Sequence, residues 1–216
     1  MKFENTEVWG FEHAVRGMRN PLNSWDKGDS GYIDRRFNDQ FYIGKNDLDL
    51  AQRLIKAGSE HRKFLRQIFV SVDITAPLYW WKEFDTYKVG IVANSTSTMH
   101  KLADTPITLD CFELTSVKLC EAGKRYFQEL ENMRIRYNEL KNTDAEKSKR
   151  YWKALIQLLP ESWLQKRTVT MNYENVLNMY RQRKNHKLSE WSKSFCDWVK
   201  TLPYAEELIC FEKEIK

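Results

Sequence analysis

The sequence predicts an α+β fold in which a small mixed or antiparallel sheet packs with a majority of long helices, and three observations carry that expectation. Ile68 to Thr75 and Arg167 to Met171 have the alternation and β-branched content of strands, with a third candidate near the start of the chain. Most other apolar residues recur at helical spacing. Glycine and proline number only eight and five in 216 residues, too few for a turn-rich all-β architecture, and eight Trp within an aromatic share of 13% suit helices packed through rings. A hydrophobic content of 42% supports one good-sized core, so residues 1–216 are read as a single domain.

Taken in order, Glu7 to Met18 alternates loosely before the turn-prone Arg19-Asn20-Pro21 and reads as an opening strand. Asn23 to Ile43, with Asp26-Lys27-Gly28-Asp29-Ser30-Gly31 inside it, reads as a long polar loop of the kind that is commonly functional. Asn46 or Asp47 is positioned to cap a short helix carrying Leu48, Ala51, Leu54 and Ile55, which Gly58 terminates. After the strand from Ile68, Thr75 is a cap candidate for a helix through Trp80, Trp81 and Phe84. Leu130, Met133, Tyr137 and Leu140 mark an amphipathic helix within Leu114 to Leu140. Thr143-Asp144-Ala145-Glu146 is a capping box for the next helix, which ends before Pro160. The strand from Arg167 leads into a helix capped by Asn172 and reaching Arg183, and a last helix runs through Trp191, Phe195 and Trp198.

Composition narrows the function classes. Thirty-five basic against 30 acidic residues give +5, a mixed surface that does not demand nucleic acid, and the basic stretches Lys147 to Lys153 and Arg181 to Lys187 are short and interrupted. Cys111, Cys120, Cys196 and Cys210 lack the close pairing of a zinc knuckle or disulfide framework. No signal-peptide pattern opens the chain and charge cuts every apolar cluster well short of a membrane span, so a soluble, reduced, cytoplasmic protein is expected.

Chemistry-bearing motifs are sparse. The sequence has no phosphate-binding Gly-rich loop, no dinucleotide fingerprint and no metal-spaced His pair, and no nucleophile is assigned. Two regions stand out. Asn94-Ser95-Thr96-Ser97-Thr98, beside His100 and Lys101, offers small donors and acceptors suited to a phosphate or a base edge, or else is a polar loop. In the helix from Tyr173, the apolar stripe Val176, Leu177 and Tyr180 continues at Arg183. A cation there needs an anionic or acceptor-rich partner, either an internal carboxylate or a ligand.

At these two regions the sequence resembles the flavin-dependent thymidylate synthases. Leu159-Pro160, Thr170-Met171-Asn172, Asn178, Arg183 and Trp191 follow the order of that family's C-terminal motif, with matching spacing up to Arg183. Glu60-His61 resembles the Glu-His before its central strand, and Ile68 to Thr75 with Ala76-Pro77 resembles the strand and helix start that follow. Where the family has Arg-His-Arg, this chain has Thr86-Tyr87-Lys88, and Asn94 to His100 stands in place of its serine-containing segment. The resemblance implies a thymidylate synthase-complementing-protein-like fold and a homotetramer with sites between subunits. It implies one-carbon transfer to dUMP or a related pyrimidine nucleotide, with FAD as cofactor and NADPH and methylenetetrahydrofolate as cosubstrates. Under it Arg183, Ser95 and Ser97 would bind the substrate, while His61, Lys88, Asn172 and Asn178 would bind the flavin. A non-catalytic nucleotide-binding or assembly module on the same fold is the alternative, and nucleic-acid binding is a distant third.

Overall fold

The computed structural model describes residues 1–34, 38–114 and 120–211. The opening segment differs from expectation. Strand β1 spans Lys2–Trp9 and stops at Gly10, whose φ of 99° lies in the left-handed region that glycine enters without steric cost. A Cβ at this position would collide with the Gln67 carbonyl oxygen. Helix α1, Phe11–Met18, follows, because Phe11, Ala14, Val15 and Met18 have helical spacing and the last three are buried. The helical period therefore overrides the loose alternation.

The stretch read as one polar loop is also ordered. Single turns at Asn20–Leu22 and Trp25–Lys27 precede strands β2, Gly31–Asp34, and β3, Asn38–Tyr42, which pair antiparallel with Gly31 opposite Tyr42 and Tyr32 opposite Phe41. The Tyr32 and Phe41 rings meet edge to face at 5.3 Å, the kind of cross-strand pair that fixes a hairpin. Residues 35–37 of that stretch lie outside the described residues.

Helix α2, Lys45–Ala57, ends at Gly58 as expected, but neither Asn46 nor Asp47 caps it. Its N-cap is Gly44, and the Asp29 carboxylate takes the orphan amides of Asn46 and Asp47 at 2.8 and 3.0 Å. A cap supplied from 17 and 18 residues away frees the Asp47 side chain to point inward. Strand β4, Phe69–Pro77, buries Val70, Val72, Ile74 and Ala76 on one face. Because the strand continues through Thr75, that residue is no cap. Helix α3, Leu78–Phe84, instead has its first two amides satisfied by the carbonyl oxygens of Trp163 and Glu161 at 3.0 and 3.1 Å.

The short strand β5 covers Val92–Ser95. Helix α4, Glu121–Leu140, occupies the later part of the expected amphipathic segment, of which residues 115–119 lie outside the described residues. Helix α5, Ala145–Leu158, is capped by Asp144, which accepts from the Lys147 amide at 3.0 Å, so the cap falls one residue later than the Thr143 box predicts. Strand β6, Leu164–Asn172, runs into helix α6, Tyr173–Arg183. Near the end of the chain a π-helical turn, Glu190–Phe195, leads into α7, Cys196–Lys200, and a second, Glu206–Cys210, follows, where one regular helix was expected. The larger sheet has the order β1-β4-β6-β5, and helices dominate the rest, which makes the fold α+β.

The chain divides into two compact units, and β4 and β6 contribute residues to each. The first, residues 1–2, 74–86 and 94–168, has a core of Leu102, Ile107, Phe112, Phe127, Leu130 and Leu155. In α3 of the same unit the rings of Trp80 and Trp81 meet edge to face at 4.9 Å, and the Arg167 guanidinium lies 4.2 Å over Trp81 while donating to Asp85 at 2.8 Å. The second unit, residues 3–73, 87–93 and 169–216, buries Ile55, Leu65, Ile68, Val169, Met171, Val176, Leu177, Trp191 and Phe195. Among the described residues no helix is long and apolar enough to cross a membrane.

Candidate functional site

In the second unit, the junction between β6 and α6 is a reciprocal cap. The Asn172 side-chain oxygen accepts from the Asn175 amide at 3.0 Å, and the Asn175 side-chain oxygen accepts from the Asn172 amide at 3.1 Å. Asn175 Nδ2 also donates to the Val89 carbonyl at 2.8 Å, which straps the 87–93 segment to the start of the helix. Gly90 sits there with φ 77°, and a Cβ on it would lie 3.1 Å from Asn172 Nδ2. The backbone angle favours glycine, and the close approach leaves a side chain little room.

One face of α6 carries Glu174, Asn178 and Arg181, at i, i+4 and i+7. Glu174 is 7% exposed. Its Oε1 accepts from Arg62 Nε at 3.0 Å and its Oε2 from Arg66 Nε, while Arg62 Nη2 donates to Asn178 Oδ1 at 3.0 Å. Burial alone would raise the Glu174 pKa, but hydrogen bonds and charge from Arg66 and Arg62 outweigh it and hold the carboxyl below its usual range. A depressed folded-state pKa contributes stability that is present above the ordinary value of 4.5 and lost as pH falls through the folded value. We expect Glu174→Gln to cost about 3 kcal/mol at pH 7, since Arg62 loses its buried counter-charge. Urea denaturation should show this deficit shrinking below pH 4.5; a deficit that stays constant into acid would show that the charge is not its source.

Arg183 closes the same helix half-buried. Its Nε donates to the Tyr87 hydroxyl at 2.9 Å, and that hydroxyl donates onward to Gln182 Oε1 at 2.8 Å. The guanidinium lies 5.5 Å from the Tyr87 ring centre and 4.9 Å from that of Trp191, so cation–π contacts add to the hydrogen bond. Donor pairing and aromatic faces together fix the plane of the fork.

Five of the residues expected at a site thus belong to this unit. Asn172, Asn178 and Arg183 lie along one helix, and Lys88 is exposed next to Tyr87. His61 is exposed and lines a largely apolar cleft of about 700 Å³ with Met18, Leu22, Leu54 and Phe64. Ser95 and Ser97 belong to the first unit. Ser95 is exposed on β5, and the Ser97 hydroxyl accepts from the His100 amide at 3.0 Å, which closes a turn. Sequence reasoning missed Arg62, Arg66, Glu174, Arg181 and Tyr87. The signals available were the i, i+4 spacing of Arg62 with Arg66 and of Glu174 with Asn178. Among the described residues no three His, Cys, Asp or Glu side chains converge as a metal site would require.

The α+β architecture is similar to the fold of solved flavin-dependent thymidylate synthases. Two solved structures align with nearly the whole chain. Thymidylate Synthase X (ThyX) from Helicobacter pylori with FAD and dUMP is 14% identical, with a TM-score of 0.70 over 97% of this chain and 97% of that one. The flavin-dependent thymidylate synthase ThyX of the same bacterium, complexed with FAD and dUMP, is 15% identical, with a TM-score of 0.68 over 97% and 98%. No protein-family model matches the sequence, and no curated protein matches it. At these identities the likeness is one of fold.

Proposed function

We propose that the protein is a divergent flavin-dependent thymidylate synthase-like enzyme, transferring a one-carbon unit to dUMP or a related pyrimidine nucleotide with FAD and a folate. The observation that carries this reading is Arg183, a cation held ready by Tyr87 and Trp191 on the helix that also bears Asn172 and Asn178, within a fold whose solved examples hold FAD and dUMP. The donor set suits these ligands. Asn172 and Asn178 each have their amide oxygen committed within the protein, to the Asn175 amide and to Arg62, so both present amide N–H groups of the kind a flavin's carbonyls and ring nitrogens accept.

When bound, the flavin would supply the hydride and one-carbon chemistry, and the folate and NADPH would serve as cosubstrates. The chain's own part is orientation and electrostatics. Arg183 would hold a pyrimidine carbonyl and stabilise negative charge as it develops on the ring, because its donors are already oriented before the ligand arrives. Lys88 supplies a charge suited to a phosphate, with Ser95 and Ser97 as further substrate contacts, His61 as a further flavin contact, and a homotetramer as the working form. A second reading, a nucleotide-binding or assembly module without turnover, is favoured by Tyr87: the hydroxyl at the centre of Thr86-Tyr87-Lys88 is used to hold Arg183 and brings no charge of its own.

Titration of the purified protein with FAD and with dUMP, followed by flavin absorbance and calorimetry, tests both. Binding together with rescue of a thymidine-requiring strain supports the enzyme. Binding without rescue or turnover leaves the nucleotide-binding module; absence of both flavin and nucleotide binding sinks the enzyme and leaves only the assembly role, which a stable tetramer without ligand would support and a monomer would sink.

A further inference from the structure

We infer that Arg62 and Arg181, with Arg66 at the rim, form an anion site that takes a phosphate or diphosphate group. Arg62 and Arg66 both pair with Glu174, the single carboxylate of α6, on the helix face that also carries Arg181. The two Glu174 oxygens are already committed, one to Arg62 and the other to Arg66. Arg181 lies one turn beyond Asn178, whose amide oxygen Arg62 Nη2 holds, and its own Nη2 is buried with no hydrogen-bond partner among the described residues.

A guanidinium has donors only, so a buried Nη2 with nothing to donate to is a standing cost. Arg62 stands near enough for its charge to act on Arg181, and burial first and this repulsion second push the Arg181 pKa down. Nothing on the helix face relieves this, since Asn178 and Glu174 are both engaged. An oxyanion with several acceptor oxygens relieves it directly: it accepts from the Arg181 fork and screens Arg181 from Arg62. Phosphate suits the arrangement better than a carboxylate because its tetrahedral oxygens can face donors that are not coplanar. The position also answers a chemical need. Thr86-Tyr87-Lys88 offers one cation for a ligand's phosphates, whereas this face of α6 offers a surplus of them. The phosphate could belong to the flavin cofactor or to the nucleotide, and only that choice of source rests on the proposed function.

The test uses the full chain and its Arg181→Met variant, with inorganic pyrophosphate as the first probe. We expect the unliganded variant to melt at the same temperature as the parent or above it, because an uncompensated charge has been removed. We expect its pyrophosphate affinity to fall at least tenfold. FAD against riboflavin, and dUMP against deoxyuridine, then identify the source: the pair whose affinity ratio collapses at least tenfold in the variant is the one whose phosphate sits here. Equal pyrophosphate, FAD and dUMP affinities in parent and variant overturn the site. A lower melting temperature with unchanged pyrophosphate affinity overturns it too, by showing a structural arginine. Should Arg181→Met fail to fold, Arg181→Lys keeps the charge without the fork, and the same tenfold loss is expected. Arg181-dependent pyrophosphate binding in a protein that takes neither flavin nor nucleotide sustains the anion site and defeats the proposed function. Flavin and dUMP binding that are both indifferent to Arg181, with unchanged pyrophosphate affinity, do the reverse.

Discussion

Replacing Asp47 with alanine is expected to destabilise the protein by about 3–5 kcal/mol, the cost of breaking a buried ion pair by removing one partner. Asp47 is 1% exposed and Arg19 5% exposed, with Nε and Oδ1 2.5 Å apart. The other carboxylate oxygen accepts from Ser30 Oγ at 2.6 Å and from the Ser30 and Asp29 amides at 3.0 Å each. Alanine therefore strands a buried guanidinium and three other donors together. Burial by itself would raise the Asp47 pKa, but the hydrogen bonds from Ser30, Arg19 and Asp29 and the Arg19 charge outweigh it, so the net shift is downward. The contribution is complete above the ordinary value of 3.8 and disappears as pH falls through the lower folded value. Urea unfolding at pH 7 measures the loss. A cost below about 1 kcal/mol, typical of an exposed pair, would contradict the arrangement.

The second large effect is functional. Arg183→Ala should reduce dUMP affinity by roughly tenfold to a hundredfold, the range expected when a charge-assisted hydrogen bond worth about 1.5–3 kcal/mol is lost. The fold should survive, because the side chain is half-buried and is held by a hydroxyl and two ring faces. Tyr87→Phe separates the two supports. The ring and its cation–π contact remain while the Nε anchor goes, so the affinity loss should be smaller, within about tenfold, in line with one neutral hydrogen bond of about 0.5–1.5 kcal/mol. Calorimetry with dUMP alongside thermal melting reads both variants. A stability loss of about 3 kcal/mol with unchanged dUMP binding would make Arg183 a structural cation instead of a ligand contact.

The elements legible in the sequence were those set by local pattern. Phe69–Pro77 alternates strongly enough to be read as a strand, and Asn172 sits where a cap belongs and is one. Errors arose where a distant residue decided a local outcome. Asp29 took the capping role expected of Asn46 or Asp47, and the carbonyl oxygens of Trp163 and Glu161 made a cap at Thr75 unnecessary. The hairpin of β2 and β3 depends on cross-strand pairing, for which Tyr32 and Phe41 gave no periodic signal. The same limit applied to the site. Arg183 stood out because it interrupted an apolar stripe, whereas Arg62 and Glu174, 112 residues apart, became visible only as a pair once the 3₁₀-helical turn at Lys63–Gln67, which Arg62 precedes, and α6 were placed in one unit.

The reciprocal Asn172–Asn175 cap has a directional consequence. The Asn172 and Asn175 backbone amides each claim the other residue's side-chain oxygen, so neither Asn can flip its amide without losing a bond. Asn175 spends its NH₂ on the Val89 carbonyl, and the group Asn172 has left to offer is the NH₂ beneath Gly90. This corner of the protein is thereby polarised as a donor. A ligand bound there would have to offer a carbonyl or an unprotonated ring nitrogen, and an amino group in the same place would be disfavoured, a preference set by the helix cap before any ligand is present.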